Sequence, residues 1–228
     1  MGFEPIEQRN LVEYVAEELT RAIIAGRIRP GQRLGDARIA RQMGISRAPV
    51  REAARLLEQR GLLISQPNRG FSVRCPTLQE LDELYGLRLC LERYAAREML
   101  KQPRDFEKPL NRQFERLLQV ARSGDSSALF QEDFRFHLLL CELSGNRRLH
   151  VLFSDLAAEM HLIIALIGGI LNDAEQLALT HQPLLEAALA RDGERLEREL
   201  DHHVMAAWEE VRTLFRARLS EAASAEQR

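Results

Sequence analysis

Four residues in the second half of the chain have the types and spacing to hold a metal ion: Asp133, His137, His181 and His203. Asp133 and His137 stand one helical turn apart, so their side chains leave the same face of a helix about 40° out of line. His181 opens a later helix, and His203 falls in the first half of the next. The break between those two helices is short, so they should run antiparallel and bring the two imidazoles together. Three imidazoles and one carboxylate suit a divalent ion, Zn first with Ni or Mn as alternatives, and leave positions open for water or a ligand. Each residue alone has an ordinary reading, since an aspartate and a histidine at this spacing more often form a surface pair. Arg88 is a further candidate. It precedes Glu92 by one turn, and reads equally as half of an intrahelical ion pair and as a guanidinium fork presented to a ligand carboxylate.

A second constellation is cationic. In "GISRAPVREAARLLEQRG", residues 44–61, Ser46 occupies an N-cap position and Pro49 falls in the first turn, where a missing N–H is tolerated. Val50, Ala53, Ala54 and Leu57 follow the spacing of a buried stripe, while Arg47, Arg51 and Arg55 recur on another face. Upstream, "GDARIARQMG" reads as a shorter helix with Asp36 as its cap, Ile39, Ala40 and Met43 inward, and Gly44 at the C′ position. Two helices joined by a short turn that opens on glycine describe a helix-turn-helix, whose second helix enters the major groove N-terminus first. Downstream, "LLISQPNRGFSVR" offers two β-prone runs around Pro67, Asn68 and Gly70, a hairpin wing with Arg69 near its tip. A charged stripe by itself is usually a solvated face. The conjunction of glycine turn, capped cationic helix and basic wing points to a winged helix-turn-helix that binds double-stranded DNA.

Charge shows the same division. Residues 1–75 carry 13 basic and 8 acidic side chains, and residues 76–228 carry 19 and 26. The basic part is the part with the helix-turn-helix, as contact with phosphate requires. The N-terminus, "MGFEPIEQRN", lacks the basic start and apolar core of a signal peptide, and Cys75, Cys90 and Cys141 form no C-x-x-C pair. Both features fit a cytoplasmic protein with reduced thiols. The longest apolar run, "LIIALIGGIL" at 162–171, is half the ~20 residues needed to cross a bilayer and reads as a buried helix bent or closely packed at Gly168 and Gly169, so no membrane partner is expected.

These sites need elements to hold them. A first helix is expected over 7–26, with Leu11, Val15, Leu19, Ala22 and Ile23 inward and Gly26 at its end. Pro76 and Thr77 mark a boundary between 1–75 and 76–228, because Pro76 stops a strand and Thr77 can cap the next helix. Beyond it the pattern is helical: 78–101, 104–122, 126–143, 147–170, 174–190 and 194–219, then a frayed tail. The fold expected is mainly α, a winged helix-turn-helix leading into an all-α bundle.

"IIAGRIRPGQRL", "ARIARQMGISRAPVREAARLLEQRGLL" and "PNRGFSV" resemble the N-terminal domain of the GntR family of bacterial transcription regulators. "LYGLRLCLE", "DFRFHLLLCELSGNRRL" and the later histidines resemble the helical, FCD-like ligand-binding domain of its FadR-type branch. The resemblance implies a homodimer that binds a palindromic operator and responds to a small metabolite, usually a carboxylic acid. The candidate DNA-contacting residues are Arg38, Ser46, Arg47, Arg51, Asn68, Arg69 and Gly70, and the candidate for the effector carboxylate is Arg88. The resemblance also gives Asp133, His137, His181 and His203 as metal ligands, since metal-binding members carry an Asp-x-x-x-His pair and two later histidines here. Some members have arginine where Ala37 stands, with Arg38 next door in this chain, so base preference does not transfer. His202 competes with His203, but neighbours on a helix point about 100° apart, and His203 precedes Val204 in the family frame. His150 and His161 read as helix-surface residues. A metalloenzyme or a metal sensor using the same Asp/His site is the alternative function. Against catalysis stand the lack of a separate general base near the motif and the winged domain, which an enzyme would not need.

Overall fold

The computed structural model describes residues 8–67, 69–103, 105–167 and 173–226, with the backbone alone at 8–10, 126–127, 165–166 and 221–226. Asn68 and the glycine pair at 168–169 lie outside the described residues. The chain divides into two compact units, Met1–Pro76 and Thr77–Arg228.

The first unit is built on α1 (Gln8–Ile24), α2 (Asp36–Met43) and α3 (Arg47–Gln59), with a two-stranded antiparallel hairpin of β1 (Leu63–Gln66) and β2 (Gly70–Val73). Its core forms where apolar stripes meet: Val15, Ala16, Leu19 and Ile23 of α1 pack with Val50, Ala53, Ala54 and Leu57 of α3, all at most 3% exposed. Removing the Leu57 side chain from such a site costs roughly 2–5 kcal/mol. Gly44 ends α2 in the left-handed conformation at φ +67°, its N–H bonded to Ala40 O and Arg41 O, and Ile45 N–H returns to Ala40 O. This left-handed glycine turns α2 into α3 within three residues. Two capping expectations change. Asp36 is the first residue of α2, not its cap, and its carboxylate accepts instead from its neighbour Ala37 N and from Arg47. Ser46 does cap α3 by position, but its hydroxyl makes no capping bond.

The second unit is a helical bundle. Thr77 and Glu80 form a reciprocal capping box that starts α4 (Leu78–Lys101). The remaining helices are α5 (Glu107–Ser123), α6 (Ser126–Leu143), α7 (Arg147–Ile167), α8 (Ala174–Leu179), α9 (Gln182–Leu189) and α10 (Gly193–Glu226). α4 packs against α6, α7 and α10, and the shared core contains Tyr85, Met99, Phe136, Phe153 and Phe215. The single helix expected over 174–190 is two: α8 stops at Thr180, His181 caps α9, and Pro183 takes a first-turn position. Proline fits there because first-turn N–H groups have no partner within the helix. The tail expected to fray continues α10 to Glu226, as its alanine and glutamate content favours. Among the described residues, no helix is long and apolar enough to cross a membrane, and Cys90 and Cys141 are free thiols.

Candidate functional site

In the first unit, a groove of about 550 Å³ runs between α3 and the hairpin. Arg47, Arg51 and Arg55 reach it from α3, Arg69 and Gly70 from the hairpin, and Arg33 from the segment before α2. All result from the local fold: the buried stripe of α3 turns its arginines outward, and Arg33 bridges to Ser72 at the edge of β2. The sequence does not single out Arg33, because its place beside the wing depends on that bridge. Arg47 Nη2 donates to Asp36 Oδ2 at 2.8 Å, a contact that holds the Asp36 carboxyl below its ordinary range. Arg51 is exposed and adds to the same effect through its charge. Arg38 is exposed on α2 but does not line the groove, and Ser46 is exposed at the start of α3.

In the second unit, three imidazoles converge. His137 is in the middle of α6, His181 caps α9, and His203 lies in the first third of α10. His137 Nε2 is 3.2 Å from both His181 Nε2 and His203 Nε2, and these form the metal-competent trio among the described residues. Asp133 stands beside the trio, its Oδ1 3.2 Å from His181 Nε2. His202 is exposed on the rim of the adjoining cavity, which leaves His203 as the inward member of the pair.

The outer contacts fix which nitrogens face the centre. His137 Nδ1 is 2.7 Å from Glu92 Oε2. Burial alone would raise the Glu92 carboxyl, but His137 and Arg88 outweigh it and hold it at about 2, so Glu92 is an ionised acceptor and Nδ1 carries the proton. Burial lowers the His137 pKa against the pull of Glu92, so the ring is neutral and Nε2 bears a lone pair. His181 Nδ1 lies 3.3 Å from Leu177 O, which directs Nε2 toward His137 and Asp133. Burial, with the two neighbouring histidines next in weight, depresses His203 further. Burial opposes the charge of Asp133 too, but its contact with His181 and the neighbouring Arg88 keep it ionised. Lone pairs at this separation repel unless a proton or a cation lies between them. The donor set fits a divalent ion: ligands about 2.1 Å from a common centre and 3.2 Å apart subtend about 100°, between the octahedral and tetrahedral angles.

Beside the trio lies a cavity of about 380 Å³, with Arg88, Asp133 and His203 on its polar side and Phe130 and Phe134 on its apolar side. Arg88 is buried. Its Nε donates to Glu92 Oε1 at 2.6 Å, its Cζ lies 5.6 Å from the centre of the Phe134 ring, and its Nη2 is buried with no partner. The intrahelical ion pair of Arg88 is therefore present, and the side chain also borders the cavity, with Nη2 buried and unpartnered. His150 stays at the surface, against Glu142. The surface reading of His161 does not hold: its ring tilts onto Phe134 with centroids 4.2 Å apart, and its Nε2 is buried without a partner. It borders the inward stripe of Met160, Ile163 and Ile164, and burial lowers its pKa. Glu92 is the other residue whose place the sequence does not reveal, beyond its pairing with Arg88.

A winged helix-turn-helix with a basic groove, joined to a helical domain with a cavity beside a histidine cluster, defines a bacterial-type transcription regulator. Comparison with known proteins agrees. Residues 11–73 match the model of bacterial regulatory proteins of the gntR family, and residues 83–206 match the FCD domain. The chain is 30% identical over 203 residues to a probable D-xylose utilization operon transcriptional repressor of Paenarthrobacter nicotinovorans, covering 88% of each protein. It is 29% identical over 190 residues to the uncharacterized HTH-type transcriptional regulator YdhC of Bacillus subtilis, covering 82% of this chain and 84% of that one. The solved structure of E. coli McbR/YncC shares the fold with a TM-score of 0.78 at 23% identity, over 90% of this chain and 98% of that one. The chain belongs to the GntR family, with an FCD domain as its helical part, and is a DNA-binding transcription regulator rather than an enzyme.

Proposed function

We propose that the helical domain holds a divalent metal ion, Zn with Ni or Mn as alternatives, and binds a small organic acid whose presence controls operator binding by a homodimer. The observation that carries this reading is a cavity lined by Arg88, Asp133 and His203, the last of which converges with His137 and His181, with one nitrogen of Arg88 buried and unpartnered. His137, His181 and His203 would hold the ion, with Asp133 as the adjoining carboxylate. The ion supplies a Lewis-acidic position for a carboxylate oxygen, and Arg88 Nη2 offers the same ligand a charge-assisted hydrogen bond. In the first unit, Arg47, Arg51 and Arg69 contact the operator, joined by Arg33 and Arg55 from the groove; Ser46, Arg38, Gly70 and Asn68 complete the surface implied by the family. Ligand binding changes operator affinity only so far as it prefers one arrangement of the DNA-binding units over another.

The test is elemental analysis of tag-free protein together with operator binding by fluorescence anisotropy. The expected result is about one divalent ion per chain, and a response to small carboxylic acids that is lost on chelation and returns on reloading. An operator response that survives complete metal removal refutes the joint site. A response to the metal alone would make the ion itself the signal.

A further inference from the structure

We infer that Glu92 is a positioning residue that couples the anion-binding end of the cavity to the metal-binding histidines, so that filling either one strengthens the other. This rests on the metal reading above and adds to it a route through the protein.

The carboxylate of Glu92 is fully buried and divided between two partners. Oε1 accepts from Arg88 Nε at 2.6 Å and Oε2 accepts from His137 Nδ1 at 2.7 Å. The helix that carries it provides its own comparison. Arg93 and Arg97, also on α4, each close a fork of Nε and Nη2 on both oxygens of one carboxylate, Asp201 and Glu197 respectively. Such forks satisfy arginine and carboxylate together. Arg88 makes no such fork: the second oxygen of Glu92 is taken by His137, and Arg88, whose side chain lines the cavity, keeps Nη2 buried without a partner. A carboxylate present only to neutralise Arg88 would have no reason to surrender that oxygen.

The coupling has a definite sign. An anion on Arg88 draws on the guanidinium charge, leaves more of the Glu92 charge for His137 Nδ1–H, and so makes His137 Nε2 a better ligand. In return, a cation at His137 Nε2 strengthens Nδ1–H as a donor, draws Glu92 toward His137, and leaves Arg88 freer to hold an anion. Linkage makes the two effects equal.

The experiment is titration of the metal-stripped full chain with Co²⁺, read by its visible absorption, with and without sodium acetate as the carboxylate probe. Glu92→Gln should weaken Co²⁺ binding by about 10- to 100-fold, the usual effect of losing an outer partner of a ligating histidine. Arg88→Met should not weaken it, since Glu92 then serves His137 alone. Acetate should tighten Co²⁺ binding in the wild type and do so less in both variants, the remainder being its direct contact with the ion. Glu92→Gln leaves Arg88 as an uncompensated buried charge, so the double variant Arg88→Met/Glu92→Gln, which buries no charge at this point, should fold and show the same weakened Co²⁺ binding. A merely structural pair would make the two single variants fall together. Undiminished Co²⁺ affinity in the folded double variant, or equal losses in both single variants, overturns the coupling while leaving the metal site standing. Failure of the wild type to bind Co²⁺ overturns both.

Discussion

Replacing His203 by alanine separates the fold of the helical unit from its metal chemistry. In the metal-free protein the His203 Nε2 faces the lone pair of His137 at 3.2 Å, an arrangement that offers no stabilisation unless a proton or a cation lies between them. Its removal should therefore cost no more than an average substitution, about 1 kcal/mol. A bound ion would tie together α6, the start of α9 and α10, and the unfolded chain has no such convergence of the three imidazoles. At metal concentrations about 1,000 times Kd this linkage is worth about 4 kcal/mol, which for a chain of this size raises Tm by about 8–16 °C. Loss of one of three imidazoles should weaken the site by at least the 10- to 100-fold seen for outer partners, cutting the increment to about 1.4–2.7 kcal/mol or less. The assay is calorimetry of chelated and Zn-loaded protein, wild type and His203→Ala side by side. A metal-induced rise in Tm that is equal in the two proteins would refute the assignment of His203.

Arg47→Ala and Arg51→Ala should each weaken specific operator binding by about 1–3 kcal/mol where the lost contact reads a base edge, with folding unchanged by circular dichroism. Arg69→Ala and Arg33→Ala should weaken binding evenly across sequences and reduce the salt slope by about 1 each, measured by anisotropy at several salt concentrations. Stability of chelated protein should fall on acidification in two stages. The folded pKa values of His137 and His203 are depressed, so the unfolded chain binds more protons and stability begins to fall as pH drops through 6.5. Glu92 acts in the same direction lower down, its contribution being complete above 4.5 and lost as pH falls toward about 2. Urea midpoints that stay level from pH 7 to 5 would contradict the first stage. The exposed Leu87 and Tyr94 on α4 are 51% and 46% accessible, apolar area suited to a second copy of the chain. Leu87→Arg/Tyr94→Arg should convert a dimer to a monomer by light scattering while keeping the helical content.

The sequence makes legible what a single helix or turn determines by itself. The helix-turn-helix is legible because Gly44 and the alternating faces of α3 are local rules, and they hold in the structure. His137 one turn from Asp133 is legible for the same reason. Neighbour geometry and a family frame separate His203 from His202, and that choice agrees with the inward ring. The misreadings arise where packing across elements decides. Periodicity absorbs Pro183 into one helix over 174–190, but the chain stops at Thr180 and restarts, and it is this restart that places His181 at a cap with its Nδ1 against Leu177 O. His161 reads as a surface residue because one apolar stripe cannot show how closely a neighbouring helix approaches its edge. Glu92 is the clearest instance. Four residues from Arg88, it satisfies the spacing rule for an ion pair, and nothing along α4 shows that α6 brings His137 to its other oxygen. Helical periodicity can therefore propose the ligands of this site. The groups that hold those ligands in place depend on a contact between two helices whose touching residues are 45 apart in sequence, and only the packed structure supplies it.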